Sequence, residues 1–324
     1  MPNTTRPNIV VLDGHTLNPG DLNWNKLRAL GNCFIYEYTP IELMVERARP
    51  GDIVVVNKAV LNAELINEVP NLKCICVTAT GFNIVDVKAA SKLGIPVCNV
   101  VGYSAYAVAQ HVFALLLELT NRVMEHSQSV HLGDWSAQRH FSYSLYPLVG
   151  LAGKTMGIYG LGRIGSQVAR IALAFGMKVI AHHKHPERDK MEGVEFVDLD
   201  TMFRESDVLT LHATLTSENV GLVNKENLAK MKHTAYFINA GRGQLVDEDA
   251  LEYALKAGLI AGAGLDVLSE EPPRKDHPFF NIPNCLITPH QAWATREARQ
   301  LLMDETVENI RAFLAGEPRN VVNG

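Results

Sequence analysis

The sequence predicts an α/β protein built from two doubly wound, parallel-sheet domains. The chain has 324 residues, which is large for a single core and comfortable for two domains. Apolar, β-rich runs alternate with helical patterns along its length, as is typical of parallel sheets covered by helices on both faces. The alternation is interrupted between residues 105 and 153 and then starts again. We therefore expect two sheets rather than one.

The first series contains five predicted strands. They read NIVVLD, CFIYEY, DIVVVN, CICVTA and PVCNV. Helix-like segments lie between them, near Trp24–Leu30, Ile41–Ala48, Ala63–Asn67 and Ile84–Leu93. The segment Ala105–Leu119 follows and has apolar residues on most helical faces, so we expect a buried helix there.

The second series starts at Lys154 and contains six predicted strands. They read KTMGIYG, KVIAHH, DVLTLHA, AYFINA, GAGLDV and CLITPH. A last helix is expected over roughly 295–314. The connection Gly133–Gly150 is long and rich in aromatic residues, so it is either an arm that packs on a second subunit or an ordered surface loop.

Composition argues against several functional classes. The net charge of −5 gives no electrostatic reason to expect nucleic acid as a partner. The longest apolar run, Ala105–Leu119, contains three polar residues and is shorter than the ~20 residues of a membrane span, so no membrane partner is expected. Five cysteines without a metal-type spacing predict no metal site and a reducing, cytoplasmic location.

Residues 160–165 read GLGRIG, the G-x-G-x-x-G pattern of a dinucleotide-binding turn. They follow a predicted strand and open a predicted helix, which is the context that this pattern requires. We expect Gly160 to permit a tight turn, Gly162 to let a pyrophosphate approach the backbone, and Gly165 to let the helix pack on the strand. The helix N-terminus offers amide donors, and Arg163 adds a positive charge.

The next strand, MKVIAHH, is expected to end at His183, where NAD-binding domains commonly place a carboxylate for the ribose hydroxyls. No acidic residue stands there, since Glu187 comes only after Pro186. The residues present are basic: His182, His183, Lys184, His185 and Arg188. The pattern predicts a cationic pocket for a 2'-phosphate, and a solvated basic turn is the alternative.

Three later segments each carry a polar side chain near a predicted strand end, where open parallel sheets bind ligands. FINAGRGQLVD, GAGLDVLSEEPP and CLITPHQAWAT supply Arg242, Glu271 and His290, on strands expected to end at 240, near 267 and at 290. Arg can hold an α-keto acid through two hydrogen bonds and polarise its carbonyl. His can protonate the carbonyl oxygen as hydride arrives, and Glu can stabilise the imidazolium and fix its tautomer. Each residue alone is ambiguous, but together they predict hydride transfer.

These motifs, in this order, resemble the D-2-hydroxyacid dehydrogenase family over nearly the whole chain. The resemblance is carried by GLGRIG, LHATLTSEN, NAGRGQLVD, GLDVLSEEPP, TPHQAWAT, ATGFNIVD and VAQHVFALLLELTNR. Within the family, VLDGHTLNPGDLNW and ATGFNIVD are most similar to the glycerate dehydrogenase (hydroxypyruvate reductase) branch. The resemblance implies hydride transfer between a nicotinamide cofactor and a small 2-keto or 2-hydroxy acid, expected to be hydroxypyruvate/D-glycerate and also glyoxylate.

The resemblance also implies domains and residue roles. A flavodoxin-like substrate-binding domain would comprise 1–104 and 296–324, and an inserted Rossmann nucleotide-binding domain 105–295. Arg242 would bind the substrate carboxylate, His290 would be the acid/base and Glu271 would support His290. The backbone at Ala79, Thr80 and Gly81 would also bind the substrate carboxylate. Cofactor-binding residues would be Gly160, Gly162, Arg163, Ile164, Gly165, His183, Lys184, Ala213, Ala240 and Asp266, the last near the nicotinamide carboxamide.

The resemblance leaves the cofactor and the assembly as expectations. NAD-preferring members usually carry Asp or Glu at the place of His183, so NADP(H) is expected to be slightly favoured, with NAD(H) as the close alternative. Members are usually homodimers, which predicts a homodimer through the 126–150 region. Alternative functions are another specificity within the family (D-lactate or 3-phosphoglycerate) and a non-catalytic, cofactor-sensing corepressor-like protein.

Overall fold

The computed structural model describes residues 6–324, and the chain divides into two compact units. Unit 1 comprises Met1–Ser104 and Ala294–Gly324, and unit 2 comprises Ala105–Trp293. The first five residues of the expected substrate-binding domain lie outside the described residues. The division after Trp293 falls two residues before the expected domain boundary at 295/296.

Unit 1 contains a five-stranded, fully parallel sheet with strand order β2-β1-β3-β4-β5. Its strands are β1 (Asn8–Val11), β2 (Asn32–Ile35), β3 (Ile53–Val56), β4 (Cys74–Val77) and β5 (Val97–Cys98). Its helices are α1 (Gly14–Leu17), α2 (Asn25–Arg28), α3 (Met44–Ala48), α4 (Ala63–Glu68), α5 (Val87–Lys92) and the C-terminal helix Arg296–Leu314, with a 3-10 turn at Ile41–Leu43. The strand order is the flavodoxin-like one, as predicted.

Apolar side chains cover both faces of the unit 1 sheet. Leu65 and Ile66 of α4 pack on one face. The other face receives Val307 and Ile310 of the C-terminal helix. Cys74, Cys76 and Cys98 belong to this second core and are at most 1% exposed. All five cysteines are free thiols, and no group of three or more metal-ligating side chains occurs within residues 6–324.

Unit 2 contains a seven-stranded, fully parallel sheet with order β12-β11-β10-β9-β6-β7-β8. Its strands are β6 (Thr155–Tyr159), β7 (Lys178–His182), β8 (Val194–Phe196), β9 (Val208–Leu211), β10 (Tyr236–Asn239), β11 (Gly262–Leu265) and β12 (Cys285–Ile287). Its helices are α6 (Ala105–Asn121), α7 (Val123–His131), α8 (Asp134–Ala137), α9 (Arg163–Ala174), α10 (Leu199–Glu205), α11 (Lys225–Leu228) and α12 (Glu248–Lys256), with 3-10 turns at Gly243–Leu245 and Pro278–Asn281. This is the Rossmann order with one added strand.

The unit 2 sheet has its topological switch point between β6 and β9. The chain winds from β6 outward through β7 to β8, and then returns to place β9 on the other side of β6. Open α/β sheets bind ligands at such a point, outside the carboxyl ends of the strands. α6 and α9 pack on one face of this sheet, whereas α10, α11 and α12 pack on the other.

Several strand and helix limits differ from the sequence predictions. β8 was not anticipated, because it has three residues and no long apolar run. β7, β10, β11 and β12 each end one to three residues earlier than expected, so Asp266 follows β11 and His290 lies three residues beyond β12. His290 has φ +51°, a left-handed conformation that no strand residue adopts. Within residues 6–324, no helix is both long enough and apolar enough to cross a membrane.

Candidate functional site

The glycine turn GLGRIG joins β6 to α9. Gly160 has φ +95°, and a Cβ there would lie 2.7 Å from the backbone nitrogen of Ala213 beyond β9. A Cβ on Gly165 would lie 2.2 Å from the carbonyl oxygen of Gly160. The close packing of the turn itself therefore requires glycine at both positions.

Gly162 is different, because packing within the chain does not require it. A Cβ on Gly162 would meet no protein atom within 4 Å. The residue caps the N-terminus of α9 without a side-chain hydrogen bond, so the first N–H groups of the helix point outward. Arg163 in this first turn is exposed. Open space, outward amide donors and a nearby cation fit a pyrophosphate group, which would approach at this point.

The turn after β7 contains a carboxylate that the sequence interpretation overlooked. Oδ2 of Asp189 lies 2.6 Å from Nε2 of His183 and 2.6 Å from Nη2 of Arg188. The Arg188 guanidinium, with a further contribution from His183, holds the pKa of the Asp189 carboxyl well below its usual range. The expectation that no acidic group lies near His183 is therefore wrong. Lys184 is exposed and has no ion pair within residues 6–324.

His183 also contacts the glycine turn. Its Nδ1 accepts the backbone N–H of Leu161 at 3.1 Å. Since a nitrogen that accepts a hydrogen bond carries no proton, the ring has its proton on Nε2 and donates it to Asp189. His183 is therefore a neutral bridge between the turn after β7 and the glycine turn, and it does not contribute the positive charge expected of it.

Arg242 lies on a tight turn after β10. The side chain of Asn239, which is fully buried, accepts the N–H of Gly241 at 3.0 Å and donates to the carbonyl of Arg242 at 2.9 Å. A Cβ on Gly243 would lie 2.0 Å from the backbone of Leu268. The Arg242 turn thus packs directly on the segment that leads to Glu271. Half-buried Arg242 donates from Nη1 to the carbonyl of Gly241 at 2.7 Å.

Glu271 and His290 form a close pair. Oε2 of Glu271 lies 2.6 Å from Nδ1 of His290, while Oε1 of Glu271 accepts the N–H of Leu268 at 3.0 Å. The His290 side chain is 27% exposed, and its Nε2 has no hydrogen-bond partner within the described part of the chain. The carboxylate therefore fixes one side of the ring and leaves the other side open. Such an arrangement can hold a proton and pass it to a bound substrate.

Asp266 anchors the segment that carries His290. Its Oδ1 accepts the hydroxyl of Thr288 at 2.7 Å and the N–H of Gln291 at 2.9 Å, and its Oδ2 accepts the N–H of Ala292 at 2.8 Å. Its carbonyl oxygen accepts the N–H of His290 at 2.8 Å. Asp266 is 2% exposed, so these bonds satisfy a buried carboxylate and determine the local backbone path.

The remaining candidate residues follow strand ends. Ala213 and Ala240 are half-buried beyond β9 and β10. In unit 1, Ala79, Thr80 and Gly81 follow β4. The carbonyls of Ala79 and Thr80 are engaged within unit 1, by Val100 N–H at 3.1 Å and by the Asn99 amide at 2.8 Å. The N–H groups of Thr80 and Gly81 have no partner within residues 6–324, so they can donate to an anion.

Sequence reasoning missed three residues that shape this region. Asp189 stands six residues after His183, beyond a proline. No role is predicted from the sequence for His111 of α6, yet its Nε2 lies 2.9 Å from the hydroxyl of Thr288. Asn239 was visible within NAGRG, but only its buried hydrogen bonds show that it shapes the Arg242 turn.

Comparison with known proteins agrees with this geometry. The model of the D-isomer specific 2-hydroxyacid dehydrogenase family, NAD binding domain, matches residues 113–292, which span most of unit 2. The chain is 46% identical to a hydroxypyruvate reductase from Blautia hydrogenotrophica, over 97% of this chain and 99% of that protein. It is 43% identical to a glycerate dehydrogenase from Methylorubrum extorquens, over 88% of this chain and 89% of that protein.

A solved structure supports the fold of the whole chain. The NADPH-dependent glyoxylate/hydroxypyruvate reductase from Sinorhizobium meliloti, in complex with NADP and malonate, superimposes with a TM-score of 0.78. The two sequences are 30% identical, and the match covers 96% of this chain and 94% of that one. The fold class inferred from the sequence is confirmed.

Proposed function

Because the chain belongs to the D-isomer specific 2-hydroxyacid dehydrogenase family and is an NAD(P)-linked enzyme that interconverts 2-keto and 2-hydroxy acids, we propose that it reduces hydroxypyruvate to D-glycerate. Glyoxylate is the proposed second substrate. The observation that carries the proposal is the Glu271–His290 pair, with Nδ1 held at 2.6 Å and Nε2 open to a ligand. The names of the two similar enzymes support the choice of substrate.

Each proposed catalytic residue has one task. Arg242 binds the substrate carboxylate through its guanidinium and polarises the adjacent carbonyl. The cofactor, when bound, supplies the hydride. His290 donates the proton from Nε2 to the carbonyl oxygen, and Glu271 stabilises the imidazolium before the proton leaves. In unit 1, the proposed substrate-binding domain, we propose the backbone at Ala79, Thr80 and Gly81 as substrate-binding.

The proposed cofactor is NADP(H) or NAD(H), with NADP(H) slightly favoured. The N-terminus of α9 and the open space at Gly162 support binding of the pyrophosphate. The histidine at position 183, in place of an acidic residue, and the exposed Lys184 support acceptance of a 2'-phosphate. Because Asp189 neutralises the charge of Arg188, the difference in affinity between NADP(H) and NAD(H) is proposed to be small.

The test of function is a substrate panel with both reduced cofactors. Hydroxypyruvate, glyoxylate, pyruvate and phosphohydroxypyruvate are each mixed with protein, and the absorbance of the reduced nicotinamide is followed. We expect the highest kcat/KM with hydroxypyruvate. A higher value with pyruvate or phosphohydroxypyruvate would assign another specificity within the family. The comparisons do not favour the corepressor-like alternative, because the similar proteins bear the names of enzymes.

We also propose a homodimer formed through residues 126–150. This stretch, the arm, comprises the end of α7 and the connection that follows it. The arm is ordered by its own hydrogen bonds, including Ser129 to Tyr143 at 2.8 Å and Trp135 to the carbonyl of Phe141 at 2.9 Å. Large apolar side chains nevertheless point outward, with Leu132 83% and Phe141 92% exposed. A second copy of the chain would remove this apolar surface from water.

A cytoplasmic location also stays a prediction.

The dimer is tested by measuring molecular mass in solution. Phe141→Asp combined with Leu132→Asp is expected to give a monomer, because two charges would have to be buried. Ile41→Asp is the matched control, since Ile41 is 87% exposed in unit 1, outside the arm. A wild-type monomer at assay concentration would contradict the dimer.

A further inference from the structure

The turn after β7, residues 183–190, pairs most of its cations with carboxylates of its own. Asp189 contacts Arg188 through Nη2 at 2.6 Å and through Nε at 3.0 Å. Glu187 lies 2.7 Å from Lys190. Among the lysine and arginine side chains of this turn, Lys184 alone lacks an ion pair within residues 6–324. The turn that looks basic in the sequence is therefore close to neutral.

Asp189 has a second partner that links it to the phosphate-binding end of α9. Its Oδ2 accepts the proton of His183 Nε2 at 2.6 Å, and Nδ1 of the same ring accepts the N–H of Leu161 in the glycine turn. The His183 side chain is 11% exposed, so the ring is fixed between these two contacts. A chain of three groups thus connects Asp189, His183 and Leu161.

We propose that Asp189 is a specificity-determining residue that limits the preference of this enzyme for a 2'-phosphorylated cofactor. The end of the second strand is where a Rossmann domain contacts the adenine ribose. A carboxylate there repels a 2'-phosphate, and Asp189 also occupies the guanidinium of Arg188 that would otherwise bind it. The proposal rests on the proposed function, since it assumes that unit 2 binds a nicotinamide dinucleotide at this edge.

The same contacts assign His183 a different role from Asp189. Because His183 is neutral and bonded to the glycine turn, it positions a loop that every dinucleotide uses, with or without a 2'-phosphate. We therefore expect His183 to affect the affinity for both cofactors by a similar factor. Asp189 is expected to affect the ratio of the two affinities.

The experiment measures binding of two non-reacting ligands by calorimetry. ADP-ribose and 2'-phospho-ADP-ribose differ only in the 2'-phosphate and lack the nicotinamide, so no reaction occurs. Asp189→Asn keeps the shape of the side chain and removes its charge. We expect it to raise the ratio of affinities, phosphorylated over unphosphorylated, by about tenfold, the scale of one charge-assisted contact.

Glu187→Gln is the matched control. It removes one negative charge from the same turn, but Glu187 contacts Lys190 and neither His183 nor Arg188. The affinity ratio should stay close to the wild-type value in this variant. An unchanged ratio in Asp189→Asn overturns the proposal. An equal rise in both variants also overturns it, because net charge of the turn would then decide rather than Asp189.

His183→Phe separates the two roles. The change removes the acceptor for Leu161 and the contact with Asp189 but keeps a ring of similar size. Both ligands should bind more weakly by a similar factor. Selective loss of the phosphorylated ligand would show that His183 acts as a cation and would overturn the assignment. If wild-type protein binds neither ligand, the proposed cofactor site itself fails, whereas an unchanged ratio with intact binding refutes Asp189 alone.

Discussion

Two histidine–carboxylate pairs lie at the carboxyl edge of the unit 2 sheet, and they use opposite ring nitrogens. Nδ1 of His290 lies 2.6 Å from Glu271, and Nε2 of His183 lies 2.6 Å from Asp189. The remaining nitrogens differ. Nε2 of His290 has no partner in the described part of the chain, whereas Nδ1 of His183 accepts the N–H of Leu161.

The difference shows that a carboxylate partner does not by itself make a histidine an acid. Glu271 leaves His290 one open nitrogen on a ring that is 27% exposed, so a proton can leave toward a ligand. Asp189 and Leu161 together occupy both nitrogens of His183, which is 11% exposed. The first pair suits proton transfer, and the second suits holding two loops in place.

Replacing the two histidines gives the sharpest test of this comparison. His290→Gln is expected to lower kcat by a factor on the order of 10²–10⁴, since the proton donor is lost. His183→Gln is expected to act instead on KM for the cofactor, through the glycine turn. Steady-state kinetics with hydroxypyruvate separates the two effects. Equal losses of kcat in the two variants would remove the distinction between the pairs.

Arg242→Lys tests whether the substrate carboxylate binds to Arg242, at the edge of the sheet that carries His290. Lysine keeps the charge but loses the planar, two-point contact with a carboxylate. We expect kcat/KM for the keto acid to fall by a factor of about 10–10², the scale of one charge-assisted hydrogen bond. Affinity for ADP-ribose should not change. Arg204→Lys, an exposed arginine paired with Asp200 at 2.7 Å, is the matched control. Full activity in Arg242→Lys would remove Arg242 from substrate binding.

The Glu271–His290 pair can be predicted from the sequence because the topology of a parallel sheet determines where the strand ends lie. Glu271 and His290 follow consecutive strands, and parallel strands bring their carboxyl ends to one edge. Recognising the strand runs was therefore enough to expect Arg242, Glu271 and His290 along one edge, even though each strand limit was wrong by one to three residues. The roles of these residues remain proposals.

The second pair was missed because a turn has no periodicity that fixes its path. Asp189 lies beyond Pro186 and returns to His183 only through the bend of residues 183–190. The contact of His111 with Thr288 joins residues 177 apart in the sequence, so no local pattern could have indicated it. Hydrogen bonds of side chains across a turn or between distant elements require the folded backbone.

Glu271→Gln tests the electrostatic part of the first pair. Reduction requires protonated His290, and the Glu271 carboxylate stabilises that form. Without the charge, the protonated ring and its orientation are less well stabilised, so kcat should fall by about tenfold, the equivalent of ~1.4 kcal/mol. Asp189→Asn, the corresponding change in the second pair, should leave kcat close to the wild-type value. A kcat unaffected by Glu271→Gln would disprove the pairing in solution.

Lys184→Ala gives the smallest expected effect. It tests how much positive charge the turn of residues 183–190 can offer a 2'-phosphate while Asp189 is paired with Arg188. Lys184 is exposed, and attraction between exposed charges is weakened by water and salt. The ratio of kcat/KM for NADPH over NADH should therefore fall by only about twofold to fivefold, and less as salt is added. Lys190→Ala is the control, because Lys190 already pairs with Glu187 at 2.7 Å. A fall of a hundredfold would mean that the turn is strongly cationic despite Asp189, and an unchanged ratio would mean that Lys184 does not reach the 2'-phosphate.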